Sequence, residues 1–136
     1  MMDYDKILSD KIRSIKPSGI RKFFDIAQQL EGVISLGVGE PDFKTPWVIR
    51  HEAINVLEKG RTNYTANAGL AELREEISRY FKRRINVEYD PEDEVIVTVG
   101  GSEAIDLCIR CVVEQGDEVL VVEPSFVCYS PIVSLC

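Results

Sequence analysis

The opening residues Met1-Met2-Asp3-Tyr4-Asp5 lack the positive charge of a secretory leader, and no apolar run follows them. A cytoplasmic protein is expected. Long hydrophobic runs are missing as well: stretches such as Val119–Val122 fall far short of the roughly 20 residues that cross a bilayer. No membrane partner is expected. Histidine is reduced to His51, and only Cys108 and Cys111, among Cys108, Cys111, Cys128 and Cys136, have the close C-x-x-C spacing. A zinc site needs a second close pair or more histidines, so no metal is assigned. The cysteines sit among apolar neighbours in the last quarter of the chain, which predicts reduced, buried thiols rather than a disulfide framework. A basic surplus is also absent. Sixteen Lys and Arg stand against 23 Asp and Glu, a net charge of −7. The densest basic run, Arg79, Lys82, Arg83 and Arg84, is offset by Glu75, Glu76 and Glu88. Such a surface repels a polyanion, and nucleic acid is excluded as a partner.

What remains is a chain of 136 residues with 45% hydrophobic content, enough to bury a core and too apolar for disorder. It carries no internal repeat. Its pattern is that of an α/β protein. Phe23, Phe24, Ile26, Ala27 and Leu30 fall near one face of a helix over residues 20–30, and a short strand is expected at Val33–Leu36. Gly37-Val38-Gly39-Glu40-Pro41-Asp42 marks a tight irregular turn. Thr45 as N-cap and Pro46 as first helical residue start a second helix, which ends near Lys59 and Gly60. Leu70, Leu73, Ile77 and Phe81 are spaced as the stripe of a third helix between Gly69 and Arg84. Glu94–Val99 reads as a buried strand, and a helix follows from Ser102 to about Glu114 with Ala104, Ile105, Cys108 and Val112 facing inward. Gly116-Asp117 ends that helix, Val119–Val122 forms another strand, and Pro124–Cys136 is a loop entering a last helix. A strand, helix, strand passage of this length implies a parallel right-handed crossover.

The junction at Gly100-Gly101-Ser102 is the most informative chemically. A strand that passes through glycines into a helix start leaves backbone amides facing outward where the helix dipole favours an anion, and Ser102 adds a hydroxyl donor. The same residues would also serve as a simple turn with a serine N-cap, and spacing leaves both readings open. No Lys-Ser/Thr pair follows, so this is not a Walker A loop. It also lacks the three-glycine Rossmann spacing, which Gly37 and Gly39 fail too because Asp42 stands at the third position.

Several motifs in register add a resemblance. Ser35-Leu36-Gly37-Val38-Gly39-Glu40-Pro41-Asp42-Phe43 is followed by Asn63-Tyr64-Thr65 and Gly69-Leu70-Ala71-Glu72-Leu73-Arg74. Val97-Thr98-Val99-Gly100-Gly101-Ser102-Glu103-Ala104, Gly116-Asp117-Glu118-Val119 and Glu123-Pro124-Ser125-Phe126 come next. In order and spacing these are similar to the class I/II aminotransferases of fold type I, over nearly the whole chain from about residue 15. The resemblance implies an N-terminal arm and small-domain segment over 1–45. The first part of a large domain, a mostly parallel sheet flanked by helices that binds pyridoxal 5'-phosphate, would cover 46–136. It implies that Gly100, Gly101, Ser102 and Glu103 form the turn that holds the cofactor phosphate, and that Phe126 stacks on the pyridine ring. Tyr64 would reach the phosphate of the other subunit in a homodimer, and the Gly39 amide would contact the substrate carboxylate. Without the family, Phe126 and Tyr64 read as packing rings and Gly39 as a turn residue. Trp47 is a candidate for the entrance or for the core.

In that family the reaction moves an amino group between an amino acid and a 2-oxo acid. The lysine that bonds the cofactor aldehyde, the aspartate at the pyridine nitrogen and the arginine that clamps the substrate carboxylate all come after the region matched here. The resemblance therefore implies a truncated, inactive N-terminal portion of such an enzyme, with apolar faces such as Val112, Val121 and Ile132 partly uncovered. Two other readings stand beside it: a non-catalytic cofactor-binding or subunit-association module, and an unrelated small phosphate-binding α/β protein. Amino-acid preference, whether aspartate, aromatic or other, is left open by motifs that serve many substrates.

Overall fold

A computed structural model describes residues 6–34, 36, 37, 39 and 41–136, with the side chains of Arg21 and Gln28 left out. Six helices are present among these residues: α1 (Asp10–Ser14), α2 (Ile20–Gln29), α3 (Trp47–Glu58), α4 (Ala71–Ile85), α5 (Gly101–Val112) and α6 (Tyr129–Leu135). The chain divides into two compact units, one of Met1–Gly39 with Val99–Cys136 and one of Glu40–Thr98.

In the first unit, α6 contacts both α1 and α5. Ser9 caps α1 by accepting the Ile12 amide hydrogen at 3.4 Å, and Asp10 pairs with Arg13 one turn on. Such a short helix needs a tertiary hold. Lys11 provides one: its Nζ donates to the carbonyls of Leu135 (3.2 Å) and Cys136 (2.9 Å), placing a cation at the negative end of α6. Ile132 on α6 is the buried hydrophobic residue of the described set, at 8% exposure. The expectation that Ile132 stays uncovered is thereby corrected, whereas Val112 is exposed as foreseen. On α5 the half-buried positions are Ala104, Ile105, Asp106 and Ile109. Cys108 and Val112 are exposed, so the inward face is rotated from the one the apolar spacing suggests. All four thiols are free; the expectation that they are buried is corrected, since none is.

In the second unit, α3 begins with Pro46 as the cap residue rather than the first helical one, and no side chain caps it, so Thr45 does not act as expected. Gly60, at φ 65°, follows its end. Helix α4 is pinned to the turn that follows it. Arg74 Nη1 donates to the carbonyls of Pro91 (2.7 Å) and Glu92 (3.1 Å), and Ser78, only 7% exposed, donates its hydroxyl to the Tyr89 carbonyl at 2.5 Å. Phe81 meets Tyr89 edge to face at 5.5 Å. Asn86 adopts the left-handed conformation that closes α4.

No strand is formed among the described residues. The segments expected as strands at Glu94–Val99 and Val119–Val122 are irregular, as are the described residues of Val33–Leu36, whose Ser35 lies outside the described set. A strand exists only through ladder bonds to a neighbour. Here Val97 donates one backbone bond, to Ala68 at 2.9 Å, while Leu120 and Val122 are almost wholly exposed.

Candidate functional site

The candidate site is the head of α5. Gly100 is the N-cap residue, with φ 84° and ψ 167°, a region of backbone space that only glycine occupies without strain. Having no side chain, it makes no cap bond, so nothing at the cap position covers the first amides of the helix. Those amides, on Gly101, Ser102 and Glu103, have no acceptor within the helix either; the ladder begins where the Ala104 amide donates to the Gly100 carbonyl at 3.5 Å. A Cβ built on Gly101 meets no atom within 4 Å. Packing among the described residues therefore does not explain that glycine. Ser102 is exposed at the second helical position. Of the two readings of this turn, the serine N-cap is corrected: glycine caps the helix, and the serine sits inside it.

Glu103 takes a role that sequence reading missed. Its carboxylate folds back and accepts the amide hydrogen of Val99. A glutamate at the third helical position ordinarily returns to the amide of the cap residue. Here it returns one residue further. The sequence shows a glutamate three residues beyond a glycine, but not which residue caps the helix, and the bond depends on that.

Phe126 lies in the same unit as the α5 turn, 56% exposed, with its ring edge to face against Tyr129 at 6.1 Å. It borders a groove of about 450 Å³ together with Lys16, Ile20, Phe23 and Glu123. The Glu123–Pro124 peptide before it is cis. Gly39 belongs to this unit and has open space around it. Tyr64 belongs to the other unit, in a loop between α3 and α4, and its ring is fully exposed. Trp47 is not a core residue: it is exposed, with the Arg50 guanidinium 5.5 Å from its ring centroid and His51 at 5.4 Å.

No described helix is long and apolar enough to cross a membrane. A family profile described as aminotransferase class I and II matches residues 31–136. YugH of Bacillus subtilis (strain 168) is 60% identical over 128 residues, and the match covers 94% of this chain and 33% of YugH. The aspartate aminotransferase of Pyrococcus abyssi is 45% identical, with 94% of this chain and 33% of that protein covered. Among solved structures, N-succinyldiaminopimelate aminotransferase from Mycobacterium tuberculosis superposes with a TM-score of 0.86 at 34% identity, covering 94% of this chain and 33% of that one. The chain spans about a third of the length of these relatives.

Proposed function

This chain belongs to the class I and II aminotransferases, and on that premise we propose that it supplies the cofactor-anchoring third of an enzyme that passes an amino group from an amino acid to a 2-oxo acid through pyridoxal phosphate. The observation that carries the reading is the glycine-capped head of α5. It leaves the Gly101, Ser102 and Glu103 amides without a side-chain cap beside the exposed Ser102, on a backbone at φ 84° that favours glycine.

A dianionic phosphate ester fits those donors and the positive end of the helix dipole. Gly101 without a Cβ lets the ester oxygens approach the amides. The exposed ring of Phe126 offers a face on which a flat heteroaromatic ring can stack, excluding water from one side of it. The Tyr64 hydroxyl, projecting from a fully exposed ring, is assigned to the phosphate in a second copy of the protein, and the Gly39 amide to the substrate carboxylate. When bound, pyridoxal phosphate supplies an electron sink for proton movement at the substrate α-carbon. This third of the protein thus binds and orients. No lysine in it stands in a motif that the family uses to move that proton, so the segment alone is assigned no turnover.

The test is a coupled assay with pyridoxal phosphate, an amino acid and a 2-oxo acid. It is run on the product of the full reading frame that carries this sequence and, separately, on the 136-residue chain. Turnover by the first and none by the second is expected. Turnover by the isolated chain, or none by the full product with any amino donor, overturns the reading.

A further inference from the structure

We infer that the Glu103 side chain is a positioning residue for the phosphate-binding turn, holding the backbone at Val99 and Gly100 in the shape that exposes the α5 amides. The inference rests on the assignment of that turn to the cofactor phosphate, and adds a role for the one ionisable side chain there.

The geometry is specific. Val99 lies just before the cap residue, and its amide hydrogen is taken by the Glu103 carboxylate. The bond closes a ring of backbone and side chain around Gly100, which stands at φ 84°. Ordinary helices hold their first turn with a side chain at the cap position, which also covers the second or third amide. Glycine cannot do this. Glu103 restores the restraint from inside the helix and spends it on Val99, an amide outside the helix, leaving those of Gly101 and Ser102 uncovered. The arrangement separates fixing the turn from capping it.

The carboxylate has a competing effect. A negative charge in the first turn of α5 uses part of the helix dipole and repels an incoming dianion. Holding the turn requires only an acceptor oxygen, whereas repulsion requires the charge. Glutamine keeps the first and removes the second, so the two roles separate by substitution.

The experiment titrates pyridoxal phosphate, and in parallel inorganic phosphate, into the full chain and its Glu103→Gln and Glu103→Ala variants, while hydrogen exchange follows the Val99 amide. Expected is a Glu103→Ala affinity loss of about tenfold, matching a hydrogen bond to a charged group, with faster exchange at Val99. Glu103→Gln is expected to restore slow exchange and to bind at least as tightly as the parent. If the parent binds and Glu103→Ala binds as tightly as Glu103→Gln, the positioning role is wrong and the phosphate site stands. If Glu103→Gln fails to rescue, the role is likewise wrong. If the parent binds neither ligand, the site assignment itself falls, and the inference with it.

Discussion

Val97 lies directly over Gly69: a Cβ built on that glycine would sit 2.7 Å from the Val97 Cβ, inside any tolerated contact. The adjacent backbone is tied to the same residue, since the Val97 amide donates to the Ala68 carbonyl at 2.9 Å. Gly69 is also at φ +99°, where an L side chain is strained. Gly69→Ala therefore combines backbone strain with overpacking and is expected to cost about 2–4 kcal/mol. A urea titration measures it. An unchanged midpoint would show that this loop does not pack on Val97.

Gly101 and Gly100 separate stability from binding. Gly101 is the first helical residue and has room for a methyl group, so Gly101→Ala is expected to raise stability by about 0.5–1 kcal/mol. The same methyl would occupy the space proposed for phosphate oxygens and is expected to weaken pyridoxal phosphate binding. Gly100→Ala forces a side chain to φ 84° and is expected to lower both quantities. Thermal midpoints paired with ligand titrations read the opposite signs for Gly101.

Local signals in the sequence located much of this architecture. Apolar spacing and punctuating glycines placed α3, α4 and α5 to within a residue or two, and Gly60 and Gly116 stand at positive φ in the turns where they were read. Helix α1 was not foreseen, because five residues are too few to show a period; its one local mark is Ser9 as a cap. Valine-rich runs at 94–99 and 119–122 have the composition of strands. Composition cannot supply the neighbour that makes a ladder, and in the second run Leu120 is 97% exposed. The motif residues proposed for the site come from resemblance, not from local signals. The bond from Val99 to Glu103 was legible in neither, since it depends on which residue caps α5.

Ser78 is the buried polar residue of the second unit, and its hydroxyl is donated to the Tyr89 carbonyl. Ser78→Ala leaves that carbonyl without this partner in a partly dry setting, at an expected cost of about 1–3 kcal/mol. Ser134→Ala serves as control. Its hydroxyl bonds the Ser130 carbonyl on an exposed helix face, and the change is expected to stay within about 0.5 kcal/mol. Equal effects of the two substitutions would remove Ser78 as the anchor of α4.

Arg110 donates its Nε hydrogen to both oxygens of Asp106, at 2.9 Å each, and this bond together with the carboxylate charge raises the guanidinium pKa above its ordinary value. A group whose pKa is raised on folding contributes stability below its unfolded value and loses that contribution as pH rises through the folded one. For a guanidinium, both lie above the working range. The difference in midpoint between the parent and Arg110→Gln is therefore expected to be small and constant from about pH 7 to pH 10. A step within that window would contradict the assignment of the pair.

The most direct test of the phosphate site compares pyridoxal phosphate with pyridoxal, which lacks only the ester, in titrations of this chain, with inorganic phosphate as competitor. The account predicts that pyridoxal phosphate binds at least about tenfold more tightly, a difference of roughly 1.4 kcal/mol, and that phosphate displaces it. Equal affinity for the two vitamers, unaffected by phosphate, would contradict it.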